Sequence, residues 1–211
     1  MTTYFTIEKD GEYTMEIKKS KFICHLYRIE SEEQAKEIIQ QVKKTHWKAN
    51  HNCSAFVLGK NQEIQRSSDD GEPSGTAGVP MLEVLKKHEL QNVLAIVTRY
   101  FGGIKLGAGG LIRAYAGSVA DGLKAIGIVQ GILQQELCLI IDYPLLGKLQ
   151  NFLEQKTITI KEITYLEKIT VTIMCDQNMV SKLTDEIIDL LNNQVEIKRS
   201  EQSYVEKRIT E

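Results

Sequence analysis

Residues 92–98 read Asn-Val-Leu-Ala-Ile-Val-Thr, a short and nearly all-apolar run. A stretch of that length and β-branched content predicts a central strand covered on both faces. Five glycines follow within nine positions, Gly102, Gly103, Gly107, Gly109 and Gly110. After them the apolar residues recur at helical spacing and predict a helix from about Gly109 or Gly110 to Ala125. Strand, glycine loop and helix in that order require a sheet with helices packed on it. They also bring free backbone N–H groups to a helix start, with Arg99, Lys105 and Arg113 nearby in sequence. Glycine lets a ligand approach the backbone closely, so the stretch predicts an anion site, with phosphate the expected anion. The same glycines equally fit a tight turn that seats the helix close to the sheet.

The loop is not a nucleotide loop of a usual kind. G-x-x-x-x-G-K-[ST] is absent, and Gly102-Gly103 followed by Gly107 does not fit G-x-G-x-x-G after a first strand. Lacking a magnesium-binding hydroxyl after a loop lysine, the chain has no evident machinery for ATP hydrolysis.

A second loop precedes the strand: Ser67-Ser68-Asp69-Asp70-Gly71-Glu72-Pro73-Ser74-Gly75-Thr76-Ala77-Gly78. Asp69, Asp70 and Glu72 could hold Mg²⁺ or act as acid and base. They could also form Asx turns, while Ser74 or Thr76 caps the next helix. Farther upstream, His51-Asn52-Cys53-Ser54 places His51 and Cys53 on one face of a strand. Cys53 enters an apolar strand and reads as inert packing, whereas His51 reads as a polar residue facing the acidic loop. Lys18-Lys19-Ser20-Lys21 is a short basic run, open to nucleic acid or merely solvated.

Glycine usage divides the chain. Fourteen of the 15 glycines lie at or before Gly131, and residues 136–211 carry 13 acidic and 9 basic side chains. Two domains are expected, 1–133 and 134–211. In the first, strands are expected over 13–30, 54–58 and 64–66. Helices are expected after Ser31, with Gln34 in the capping-box position, and over 79–87. In the second, the pattern predicts strand 137–141, helix 145–153, strands 157–164 and 169–175, helix 179–191 and strand 195–201. That order is βαββαβ, the ferredoxin-like plan.

A formal net charge of -2 excludes a polybasic binder, although a local patch can still bind nucleic acid. No run approaches the length of a membrane helix, and the four cysteines are far apart with no C-x-x-C pair. Residues 1–6 show no basic leader with an apolar core, so a reduced, cytoplasmic protein with no membrane partner is expected.

The segment 95–107, Ala-Ile-Val-Thr-Arg-Tyr-Phe-Gly-Gly-Ile-Lys-Leu-Gly, together with 69–78, resembles the IMPACT family, also called YigZ or UPF0029. The resemblance spans essentially the whole chain. It implies an α+β protein whose N-terminal domain is ribosomal protein S5 domain 2-like and whose C-terminal domain is ferredoxin-like. It also implies RNA or ribosome binding in the regulation of translation; no catalysis is the leading expectation, and no cofactor is expected unless Mg²⁺ is held. The shared surface it implies comprises Lys21, His51, Asn52, Ser54, Asp69, Asp70, Glu72, Arg99, Tyr100, Lys105 and Arg113. On that reading Arg99, Lys105 and Arg113 contact phosphates with the amides of Gly107, Ala108 and Gly109, and Tyr100 stacks on a base or sugar. Two alternatives stay open. One is a Mg²⁺-dependent hydrolase or phosphotransferase acting on a small phosphorylated ligand, with Asp69, Asp70 and Glu72 as metal ligands; the other is an adaptor for a protein partner.

Overall fold

The computed structural model describes residues 3–209. Met1, Thr2, Thr210 and Glu211, which enter the expected domain limits and the reading of residues 1–6, lie outside the described residues. Two compact units are present: residues 3–130 with 207–209, and residues 131–206.

The chain begins with β1 (Thr3–Ile7), a strand not anticipated from its pattern, and the hairpin β2 (Gly11–Ile17) and β3 (Ser20–Arg28). Helix α1 (Glu32–Thr45) follows. Its start was legible: Ser31 Oγ accepts from Gln34 N at 3.1 Å. The Gln34 side chain, however, accepts from Glu30 N rather than from the cap residue itself. Glu32 and Glu33 in the first turn, and Lys43 and Lys44 in the last, complement the helix dipole. Next come β4 (His51–Leu58), β5 (Ile64–Ser68), α2 (Gly78–Lys87), β6 (Val93–Tyr100) and α3 (Ala108–Ile126).

The first unit holds an antiparallel sheet in the order β2-β3-β6-β4-β5, with β6 in the middle. Both faces of β6 are covered, and alternation sorts its side chains between two cores. Val93, Ala95 and Val97 join Phe22, Cys24, Cys53, Met81, Tyr115 and Val119 in the core under α2 and α3. Leu94 and Ile96 join Ala35, Val42 and Phe56 under α1. This double burial accounts for the unbroken apolar run in β6.

The remaining elements are β7 (Ile128–Ile141), α4 (Leu146–Gln155), β8 (Ile160–Tyr165), β9 (Ile169–Asp176), α5 (Val180–Leu190) and β10 (Glu196–Ile209). β7 and β10 both extend well beyond the expected 137–141 and 195–201. The sheet runs β8-β9-β7, with β10 also paired to β7. Its core packs Leu137, Leu139, Val171 and Ile173 against Leu149, Leu153, Leu183 and Ile187 of the two helices. Both units mix helices with antiparallel pairing, so the class is α+β.

Candidate functional site

Two strand ends, the acidic loop and the start of α3 meet at one end of the first sheet. The register pairs His51 with Arg99, Asn52 with Thr98 and Cys53 with Val97. Alternation therefore puts His51, Cys53 and Arg99 on the face under α2 and α3, and Asn52 and Thr98 on the α1 face.

The acidic loop spends its carboxylates on this chain's own donors. Asp69 accepts from the backbone N–H of Gly75, Ala77 and Gly78 at 2.8, 3.0 and 2.8 Å, holding the loop closed over the start of α2. The expected caps, Ser74 and Thr76, do not serve; Thr76 Oγ1 donates to Pro73 O instead. Asp70 takes Lys43 Nζ on one oxygen and Asn52 N on the other, each at 2.6 Å. Glu72 is buried, and its Oε1 accepts from Arg99 Nη1 at 2.6 Å and from Tyr115 OH at 2.8 Å. His51 faces the Asp70 carbonyl through Nδ1 at 2.9 Å, so that nitrogen carries the proton; Nε2 stands 3.8 Å from Glu72 Oε2. The three carboxylates engage separate partners and do not converge on one point where a cation could sit. Among the described residues no group of three metal-ligating side chains is present.

Two residues expected on the shared surface are corrected by this geometry, Arg99 and Asn52. Arg99 is 5% exposed, paired with Glu72, and its guanidinium carbon lies 5.4 Å from the Phe22 ring and 5.5 Å from Phe101. It holds the site together from inside. Asn52 is also buried, with Oδ1 accepting from Thr98 Oγ1 at 2.8 Å, whereas His51 faces the acidic loop as expected. Cys53 donates to Asp69 O, and burial pushes its thiol up to about 12, so it is not a poised nucleophile.

The others lie on the surface. Lys21, Lys105, Gly107, Ala108, Gly109 and Arg113 are exposed, and Tyr100 is half-buried with its hydroxyl 3.0 Å from His46 Nδ1. Gly107 takes φ 71° immediately before α3, a left-handed conformation that glycine adopts without a steric cost. No side chain caps α3, and no acidic residue occupies its first turn. The first-turn N–H groups are thus open to an external acceptor, beside Lys105 and Arg113. A Cβ on Gly109 would meet Arg113 Nη1 at 3.7 Å, which places that guanidinium at the helix start.

Sequence reasoning missed several members. Tyr115 falls on the buried stripe of α3 (Leu111, Ala114, Tyr115, Ser118), and its hydroxyl role has no local signal in the sequence. Lys43, in the last turn of α1, has no local signal for its reach to Asp70. A polar chain crosses the α1 face from Asn52 through Thr98 and His25 to Glu12. Burial holds His25 below its ordinary pKa against the opposing pull of Glu12.

A family model described as the Impact N-terminal domain matches residues 18–123, and one described as a domain of unknown function (DUF1949) matches residues 139–194. The chain is 49% identical to an IMPACT family member, YvyE of Bacillus subtilis, over 98% of its own length and 95% of that protein's. It is 35% identical to an IMPACT family member of Haemophilus influenzae, covering 90% of this chain and 93% of the relative. Among solved structures, a hypothetical protein superposes with a TM-score of 0.59 at 30% identity, covering 95% of this chain and 98% of that one.

Proposed function

This chain belongs to the IMPACT family as a two-domain bacterial member, and on that premise we propose that it binds RNA or the ribosome and regulates translation without catalysing a reaction. The observation that carries the reading is the open start of α3. A helix of 19 residues presents an uncapped N-terminus with no acidic first-turn residue, flanked by exposed Lys105 and Arg113. Backbone donors, the positive end of the helix dipole and two cations together favour phosphate oxygens. Gly107, Ala108 and Gly109 supply the approach, and Lys21 and Tyr100, paired across β3 and β6, lie at the same end of the sheet.

The domain reading accompanies it. We assign residues 1–133 to an S5 domain 2-like unit and 134–211 to a ferredoxin-like unit. The βαββαβ element order of the second half and its β8-β9-β7 sheet with β10 on β7 support that assignment. The acidic loop has a shaping role here: its carboxylates brace Arg99, Asn52 and the start of α2 behind the surface. No helix of the described residues is long and apolar enough to cross a membrane, and a cytoplasmic setting fits the proposal.

A second reading, a protein partner, is favoured by one observation: Phe101, Ile104 and Ile112, around the same loop, are each more than 40% exposed. Co-sedimentation with ribosomes and with purified RNA across a salt series separates the two. The RNA reading expects saturable association that weakens as salt rises. Association that survives nuclease treatment and is indifferent to salt favours the protein partner, and none with either component at low salt overturns the RNA reading.

A further inference from the structure

Trp47 is the chain's single tryptophan and is 73% exposed, although indole is mostly buried in folded proteins. It does not dangle. The turn that carries it is pinned to the end of β6: His46 Nδ1 lies 3.0 Å from Tyr100 OH, Asn50 N donates to Arg99 O at 2.9 Å, and Phe101 N donates to Asn50 Oδ1 at 2.8 Å. The ring is therefore displayed from a fixed support, which lowers the ordering cost of any contact it makes.

Lysines surround this support. On one side stand Lys44, at the end of α1, and Lys48, whose Nζ is 5.1 Å from the Trp47 ring centroid. On the other, Lys21 pairs in register with Tyr100, and the backbone of Lys19 and Ser20 packs against Gly102. Lys105 stands in the glycine loop that continues from Phe101, whose N–H is held by Asn50. Lys18, Lys19, Lys21, Lys44, Lys48 and Lys105 are all exposed, and none forms an ion pair among the described residues. Glu16, opposite Lys21 across the hairpin, is the acid facing them in register.

The hairpin tip carries a separate sign. Lys18 and Lys19 occupy the two residues between β2 and β3 with φ 46° and 66°. Two-residue hairpin turns of this hand favour Asn-Gly, which adopts positive φ at little cost; lysine at both places is strained. Strain retained at an exposed tip, with two cations as its product, points to a function for those cations.

We propose that this face, with Trp47 as its stacking surface and the lysines along it, binds single-stranded RNA. The inference deepens the RNA reading above and rests on it. Cations tracking a phosphate backbone and an aromatic ring offered to bases are the two elements of single-strand recognition. A duplex keeps its bases stacked on one another and leaves no face for the indole. An acidic protein segment would meet the lysines but has no planar group for the ring.

The lone tryptophan supplies the readout. Full-length protein is titrated with a fluorescein-labelled single-stranded RNA 12-mer, its duplex form and poly-glutamate; label anisotropy gives the affinity of parent and variants, and Trp47 emission of the parent reports quenching. The single strand is expected to quench Trp47 and to bind more tightly than the duplex. Trp47→Ala is expected to weaken it about ten-fold or more, the scale of one base stack, and Trp47→Phe far less. A Lys18→Asn/Lys19→Gly variant is expected to be more stable than the parent yet to bind more weakly, which a purely structural role for the lysines would not produce. Binding with no quenching and no loss in Trp47→Ala overturns the proposal while leaving RNA binding standing. So does association with ribosomes but not with the oligonucleotide, equal binding of the duplex, or quenching by poly-glutamate as strong as by RNA. Failure to bind RNA and ribosomes alike at low salt overturns both readings together.

Discussion

The Arg99 guanidinium donates to the Glu72 carboxylate at 2.6 Å, with the two side chains 6% and 3% exposed. The pair joins the acidic loop to the middle strand of the sheet, 27 residues apart in sequence, and Tyr115 OH adds a second donor to the same carboxylate oxygen. Removing one partner of a buried pair leaves an uncompensated charge and costs about 3–5 kcal/mol. Arg99→Ala and Glu72→Ala are each expected to lose stability on that scale in urea unfolding. An Arg99→Met/Glu72→Leu double variant is expected to recover part of it. A loss below about 1 kcal/mol in both single variants would mean that the pair does not brace the site. Loss of RNA binding in Arg99→Ala would accordingly report a loosened fold rather than a missing phosphate contact.

Asp69 makes the loop acid-sensitive. Burial pushes its carboxyl up, and the N–H groups of Gly75, Gly78 and Ala77 more than reverse this, holding it below its ordinary value. A carboxyl depressed by folding contributes stability that is present above its unfolded pKa of about 3.9. That stability is lost as pH falls through the lower folded value. Unfolding free energy measured between pH 6 and pH 3 is expected to drop at the acid end, with a shallower drop in Asp69→Asn. An identical acid profile in the variant would remove Asp69 from this role.

At Gly102 an added Cβ would fall 2.0 Å from the Lys19 carbonyl carbon and 2.1 Å from its oxygen, so backbone must separate from backbone. Gly103 has φ 85° but open space around the same position. Gly103→Ala is expected to cost about 1–2 kcal/mol, the price of a left-handed residue with a side chain. Gly102→Ala is expected to cost more and to displace the glycine loop from the hairpin. Thermal unfolding of the two variants checks the order, and equal melting temperatures would contradict it.

The thiols of the first core are predicted to be inert. Burial pushes Cys53 up to about 12; a hydrogen bond with Tyr115 works against the rise, and Glu72, Asp70 and Asp69 add to it. Burial raises Cys24 as well. Iodoacetamide at pH 8 is expected to leave both unmodified in the native protein and to label them in denaturant, read by peptide mass. Rapid native labelling of Cys53 would reopen a nucleophilic role.

Much of the architecture was legible because it is periodic. The apolar run that became β6, the Ser31 cap and the βαββαβ order of the second half each follow from local pattern. β1 was not, since five residues without strict alternation become a strand only by pairing with β7, far along the chain. The site was legible as a set of residues but not as a set of roles. Arg99 follows an apolar strand directly and reads as its exposed end; pairing with His51 turns it inward, and Glu72 makes the burial tolerable. Trp47 gave no motif, and Lys18–Lys19 read only as part of a basic run, because what marks them further is exposure and backbone dihedral angle, neither of which is a property of sequence alone.

The central claim is that Lys105 and Arg113, at the open start of α3, meet RNA phosphates. Its most direct test is the slope of log affinity for RNA against log salt, for the parent and for a Lys105→Ala/Arg113→Ala variant. Both side chains are exposed, so the fold should be unaffected. Each single-strand phosphate contact contributes about 0.7 to the slope, so the double variant is expected to bind more weakly and with a slope shallower by roughly 1.4. Parent and variant lines that coincide would contradict the claim.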